Sequence, residues 1–299
     1  MSSGFVIDDE LEIEYSPSKW VTREIPHEDV VSLFFKRGFD VRERLLQKYD
    51  CELNVVYGGG KSTKLDIYFP DNCDRKCSDL LIFVHGGYWQ EGSKEMYAFL
   101  GEHFNTLGCI LVMLGYDFAP HASMDEMVKQ IENGFMFTAS MFPSSRIFLT
   151  GHSAGAHLVS MLMTANFNNG NSLLERIKGL CLVSGIFDLQ PILSTSVNLV
   201  IGMDRETALR NSPINKIKPG SLKIRCNVLV VVGEQDSPSF QEQSKVFHDL
   251  LKEELPHYDV KYLKIPDVDH FSIMEKCAEE DFLLNKALRS LVKGELLII

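Results

Sequence analysis

The chain has 299 residues, of which 45% are hydrophobic and 24% charged, and a net charge of −11. Such a composition excludes a disordered or collagen-like protein, and the length suits one α/β domain with a core that needs no disulfide staples. The acidic balance speaks against nucleic acid, which calls for clustered cations; Lys216, Lys218, Lys223 and Arg225 are only a loose group in an expected loop.

The first fifty residues read as a peripheral segment: a polar start, Tyr15-Ser-Pro-Ser-Lys-Trp20, then a mixed helical stretch from about Glu28 to Lys48. Met1 to Glu10 carries no basic region followed by an apolar run, so no signal peptide is expected. No stretch approaches 18 uninterrupted apolar residues, so no membrane association is expected either. Seven scattered cysteines suit free thiols in a reducing compartment, and a cytoplasmic protein is expected. Cys73 and Cys77 are the closest pair, but a metal there would need two more ligands, and none is evident nearby.

Strands are predicted at 65–69, 80–85, 109–115, 146–150, 179–184, 227–233 and 260–265. In the first, Leu65, Ile67 and Phe69 alternate with Asp66 and Tyr68, the pattern of a half-exposed edge strand. The next five runs are continuously apolar, as parallel strands covered on both faces are. Helices are predicted at about 93–107, 123–141, 154–167, 238–254 and 272–292. This alternation gives one domain over 1–299, with a mostly parallel central sheet between two layers of helices. The region 190–221 breaks the rhythm with Pro191, Pro213 and Pro219 and reads as a small lid insertion.

The chemistry concentrates in Gly151-His-Ser-Ala-Gly155, a G-x-S-x-G between an apolar strand and an amphipathic helix. A pentapeptide of this form arises by chance in about one chain in ten of this size, given ordinary Gly and Ser usage. Its position gives it meaning: a tight strand-to-helix turn lifts the oxygen of Ser153 above the sheet edge, and the following helix aims free N–H groups at the site. Upstream, the strand Leu81-Ile-Phe-Val84 runs into His85-Gly-Gly-Tyr-Trp89, where such folds supply the rest of an oxyanion hole. The expected donors are the amides of Gly87, Tyr88 and Ala154. The alternative is a plain Gly-Gly turn with His85 satisfied in the core. Tyr88 and Trp89 can be read as core or as pocket wall.

This fold orders its triad as Ser, acid, His. His248 sits within a helix and His257 at the wrong end of the sheet. His270 follows the last strand by a short loop and is the expected base. Asp236, three residues beyond Gly233, is the expected acid, with Glu234 and Asp188 as rivals; Asp267 and Asp269 read as loop-capping residues. His152 and His157 read as structural. No phosphate-binding, dinucleotide or H-E-x-x-H motif occurs, so neither a cofactor nor a metal is expected.

Read together, these segments resemble the kynurenine formamidase (arylformamidase) family of α/β-hydrolases. The likeness runs through Tyr15–Trp20, Leu65–Pro70, His85–Lys94, Tyr116–Pro120, Gly151–Leu158, Leu182–Leu189, Gly233–Pro238 and Val268–Phe271. The H-G-G-Y-W form is its narrowest mark, since related lipases and esterases usually carry a third glycine where this chain has Tyr88. The resemblance implies an α/β-hydrolase fold, hydrolysis of N-formyl-L-kynurenine to L-kynurenine and formate, and the same three residues, Ser153, Asp236 and His270, as nucleophile, acid and base. A general carboxylesterase and a non-catalytic binding module of the same fold are the rival readings. The sequence leaves a homodimer open.

Overall fold

The computed structural model describes residues 6–75, 78–102, 104–167 and 171–294; Cys77 lies outside them. Among the described residues eight strands form one sheet in the order β1-β2-β4-β3-β5-β6-β7-β8. They are β1 (Cys51–Val56), β2 (Lys64–Tyr68), β3 (Leu80–Val84), β4 (Ile110–Leu114), β5 (Ile147–His152), β6 (Ile177–Val183), β7 (Asn227–Gly233) and β8 (Val260–Ile265). β1 and β2 pair antiparallel, as do β2 and β4, and the other six strands run parallel.

Successive side chains of a strand point to opposite faces, and both faces here are covered. Leu80, Ile82 and Val84 pack into one core with Met127, Ile131 and Phe135 of the helix Met124–Met141 and Phe240, Phe247 and Leu251 of the helix Pro238–Glu254. Leu81 and Phe83 pack into a second core with Phe34, Val41 and Leu45 of the helix Val30–Lys48 and Leu284 and Leu288 of the helix Leu283–Lys293. The first fifty residues, expected at the periphery, therefore supply part of the second core.

Three further expectations are corrected. The strand at 65–69 is not a half-exposed edge, because β1 lies outside it and takes the edge position. Asp66, expected on the open face, is fully buried. Its carboxylate accepts from Lys94 Nζ at 2.8 Å and from the amide of Asn54 at 2.8 Å, and lies 3.5 Å from the Arg42 guanidinium. Lys94, itself 4% exposed, is drawn into this pair, so Ser93–Met96 turns instead of opening a helix. Helix then occurs only as a 3₁₀ turn at Ala98–Glu102 and a short helix at Phe104–Leu107. The helix expected over 272–292 is split as well: Asn285 Nδ2 donates to the carbonyls of Cys277 and Glu279, ending the first piece before Leu283.

Two buried histidines fasten the segments around the ends of the strands. His157, on the helix Ala154–Met161, accepts at Nδ1 from the Trp89 indole N–H (3.1 Å) and donates from Nε2 to the Asn211 carbonyl (2.7 Å). Trp89 is fully buried, so it belongs to the core. His85 donates from Nδ1 to the Gly86 carbonyl (2.8 Å) and stacks on Tyr116 with centroids 4.4 Å apart. Burial lowers both rings to pKa values of about 4. Among the described residues no helix is long and apolar enough to cross a membrane.

Removing the Asp66 carboxylate leaves Lys94 and Arg42 over buried space without their main counter-charge. Asp66→Ala is expected to lower unfolding stability by about 3–5 kcal/mol, measured by urea denaturation; a loss under about 1 kcal/mol would count against the buried pair as a fold determinant. His85 and His157 bind protons more readily unfolded, near the ordinary imidazole value of 6.5, than folded, at about 4. Their contribution is complete above the unfolded value and is lost as pH falls from 6.5 towards 4, by about 2 kcal/mol for each ring at pH 5. Urea midpoints between pH 7.5 and 5 should fall accordingly, and the slope should be shallower in His157→Asn; equal slopes would remove His157 from the linkage.

Candidate active site

β5 ends at His152, and the chain turns at Ser153 straight into the helix Ala154–Met161. Ser153 has φ 55° and ψ −121°, a backbone that side-chain-bearing residues rarely adopt. The turn is held by the Ser153 amide, which donates to the Val183 carbonyl of β6 at 2.8 Å. Gly155 is required by contact, because a Cβ there would lie 2.0 Å from the Val84 carbonyl oxygen.

His270 follows β8 and is 4% exposed. Its Nδ1–H donates to Asp236 Oδ1 at 2.7 Å, which leaves Nε2 as the ring's basic nitrogen. Asp236 Oδ2 accepts from the Ser184 hydroxyl at 2.7 Å and the Gly233 amide at 3.0 Å, so both carboxylate oxygens are committed. The other carboxylates are occupied elsewhere. Glu234 is exposed and accepts from the Asp267 amide. Asp188 accepts from Gln190 and Ser212. Asp269 caps the turn after β8 by accepting from the amides of Phe271 (2.9 Å) and Ser272 (2.8 Å), and Asp267 occupies a left-handed turn position. His248 lies on the helix Pro238–Glu254 with Nδ1 beside Asp249, and His257 is in the turn before β8. The fold thus brings together Ser153, Asp236 and His270. Ser153 and His270 line one cavity; among the hydrogen bonds of the described residues the Ser153 hydroxyl has none to the ring, a contact that catalytic sites often close only with substrate bound.

His152 forms the layer beneath. Its Nε2–H donates to the His270 carbonyl at 2.9 Å, and the two rings lie 4.6 Å apart. Burial, and then the neighbouring His270, hold the His152 pKa well below the usual imidazole value. Phe240 packs edge-on against His270 with centroids 4.7 Å apart.

The residues expected to supply the oxyanion donors follow β3. Gly87 (φ 113°), Tyr88 (φ 49°) and Trp89 (φ 58°) all lie in the left-handed region, where an unbroken run is costly for residues with side chains. The turn closes through the Gly87 carbonyl, which accepts from the amides of Gln90 and Glu91, both at 3.0 Å. A Cβ on Gly87 would sit 2.1 Å from the Glu91 carbonyl oxygen. Gly87 and Tyr88 line the cavity with Ser153. Ala154 is the first residue of its helix, so its amide lies beyond the reach of the helical ladder. The Tyr88 hydroxyl donates to the Tyr15 carbonyl at 2.7 Å.

The cavity is small, about 180 Å³, and its walls are largely aromatic: Tyr15, Phe35, Tyr88, Tyr97 and Phe271. From the region 190–221 it takes Val197, whereas the N-terminal segment contributes Tyr15, Ser16, Pro17, Ser18, Val31 and Phe35. That segment is tied down by polar contacts. Glu12 accepts from the Ser196 amide (2.7 Å) and hydroxyl (2.6 Å), and Glu14 from the Ser239 amide (2.9 Å). Gln243 Nε2 donates to the Tyr15 hydroxyl at 2.6 Å, and Arg23 donates to Asp269 at 2.7 and 3.1 Å. Sequence reasoning missed Ser184, Tyr15, Phe35 and Arg23. The signal available for Tyr15 was its place in the motif Tyr15-Ser-Pro-Ser-Lys-Trp20. Among the described residues no group of three or more His, Cys, Asp or Glu side chains could hold a metal ion.

The chain is similar to known proteins in both sequence and fold. A family model described as BD-FAE matches residues 65–251. The chain is 37% identical to a kynurenine formamidase of Danio rerio, over 95% of this chain and 96% of that relative. It is 38% identical to one of Salmo salar, over 94% and 95%. Among solved structures, a candidate thioesterase from Silicibacter sp. superposes with a TM-score of 0.78 at 26% identity, covering 95% of this chain and 99% of the other. An esterase of Pyrobaculum calidifontis superposes with a TM-score of 0.69 at 16% identity, over 90% and 94%, a likeness of fold. With an oriented histidine and a serine elbow on one small cavity, and with relatives matched over almost its whole length, the chain belongs to the kynurenine formamidase family of α/β-hydrolases.

Proposed function

We propose that the protein hydrolyses N-formyl-L-kynurenine to L-kynurenine and formate in tryptophan catabolism, with Ser153, His270 and Asp236 as a catalytic triad. The observation that carries this reading is the 2.7 Å contact of His270 Nδ1 with Asp236, on the wall of a small cavity that also holds Ser153. With Nδ1–H held by the carboxylate, Nε2 is the nitrogen free to take the serine proton. Ser153 Oγ attacks the formyl carbon, and the amides of Gly87, Tyr88 and Ala154 receive the negative oxygen. His270 then returns the proton to the departing nitrogen, and water releases formate from the formyl-enzyme. Asp236 stabilises the imidazolium in between.

The size of the cavity supports the choice of substrate. A formyl group is the smallest acyl group and needs little space beside Ser153, while aromatic walls suit an aryl leaving group. An aniline-type nitrogen leaves more readily than an alkyl amine, so a site of esterase design can cleave this amide. The described cysteines are all free, four of them buried, which fits a cytoplasmic setting.

Ser153→Ala is expected to lower kcat on N-formyl-L-kynurenine by about ten-thousand-fold or more while leaving the circular dichroism spectrum unchanged; activity within tenfold of the parent would remove Ser153 as the nucleophile. Substrate ranking tests the reaction itself. The kcat/KM for N-formyl-L-kynurenine should greatly exceed that for short-chain nitrophenyl esters, and the opposite order would assign a general carboxylesterase.

A further inference from the structure

We propose that Glu91 receives the α-ammonium group of the substrate, so that the enzyme selects ortho-formamido aryl ketones by their positive charge and makes no ionic contact with their carboxylate. This rests on the formamidase reading above and deepens it. Of the described residues lining the cavity, Glu91 is the single one outside the triad with a formal charge at neutral pH; the others are aromatic, aliphatic, glycine or hydroxyl-bearing, and no Lys or Arg is among them.

The backbone of Glu91 is fixed: its amide donates to the Gly87 carbonyl at 3.0 Å, within the turn that presents the proposed oxyanion donors. Its side chain is exposed at the cavity and, among the described residues, has no hydrogen bond or ion pair. Partial desolvation raises its pKa, and its charge is felt at Tyr97 on the wall. The carboxylate thus has water on one side and an aromatic wall on the other, where a charged partner counts for more than in bulk solvent. Two nearby cations are engaged elsewhere, Arg23 by Asp269 and Glu275 and Lys94 by Asp66. A substrate whose formyl carbon rests at Ser153 and whose ring lies between the aromatic walls would carry its amino-acid end towards open solvent. There it meets one negative side chain, which attracts the ammonium and leaves the carboxylate in water.

The test compares kcat/KM for four formanilides in the parent, Glu91→Gln and Glu91→Lys. These are N-formyl-L-kynurenine, its decarboxylated analogue N-formylkynuramine, the neutral ortho-formamidoacetophenone and the anionic N-formylanthranilate. In the parent, N-formylkynuramine should be cleaved at least as efficiently as N-formyl-L-kynurenine; a loss of about tenfold or more on removing the carboxylate would overturn the assignment. In Glu91→Gln the ratio of N-formylkynuramine to the neutral ketone should fall by about tenfold, through KM, as expected for a hydrogen bond between charged groups. In Glu91→Lys it should fall further, and N-formylanthranilate should gain on the neutral ketone. Ratios unchanged within about twofold in both variants, with all four substrates still cleaved, would overturn the role of Glu91 and leave the formamidase reading standing. A parent enzyme that cleaves none of the formanilides would overturn both.

Discussion

The first turn of the helix after Ser153 lies against the end of β3 with no room for a side chain between them. A methyl group on Gly155 would be 2.0 Å from the Val84 carbonyl oxygen and 2.6 Å from that of His85, and one on Gly151 would be 2.5 Å from the Gly155 carbonyl. Contact of backbone with backbone sets distances that no rotamer change can alter. Because Val84 and His85 lead directly into the loop of the proposed oxyanion donors, this contact fixes that loop relative to the serine. The Ser153 amide adds a tie to β6, so the elbow is anchored to the strands on both sides of β5. A site that must stabilise charge as it develops gains from donors already in place, because no reorganisation is then needed during the reaction. The left-handed backbone at Ser153, Tyr88 and Trp89 is the cost of that placement, and the buried Trp89–His157 contact is part of what offsets it.

The charges around the proposed base are graded. Asp236 carries three hydrogen-bond donors, from His270, Ser184 and Gly233, so its charge is held on the side of Nδ1. Beneath the ring, His152 stays neutral because burial opposes its protonation, and its N–H is spent on the His270 carbonyl. A cationic His152 at 4.6 Å would oppose the imidazolium that the proposed mechanism places on His270. A neutral one supports the loop without that penalty.

Much of this was legible because of how parallel strands are buried. The runs at 80–84, 110–114 and 228–232 are continuously apolar since both their faces are covered, and the order of serine, acid and histidine then selects residues at one end of that sheet. β1 escaped notice because Glu52, Leu53 and Asn54 are exposed at the sheet edge and show no alternation. Asp66 misled for the opposite reason: a polar residue in an alternating strand normally faces water, and only the three-dimensional approach of Lys94 and Arg42 makes it an interior residue. Ser184 could not be read as part of the site, since its role comes wholly from a hydroxyl meeting a carboxylate 52 positions away. The wall residues Tyr15 and Phe35 lie before the first strand, outside the strand–helix repeat, so periodicity gave no reason to place them over the serine.

That N-terminal wall is coupled to the base through one buried carboxylate. Asp269 is fully buried and immediately precedes His270; it caps the turn that carries the imidazole, and its remaining contacts go to the guanidinium of Arg23. Lifting the segment away would strip the buried Asp269 of its counter-charge, which opposes the movement. The same movement would admit water above Ser153 and release the Tyr88 hydroxyl from Tyr15. Covering the cavity, holding the loop at Gly87–Trp89 and aiming the imidazole therefore share their supports. The segment behaves as a built part of the site, held in place by the same contacts that orient the residues beneath it.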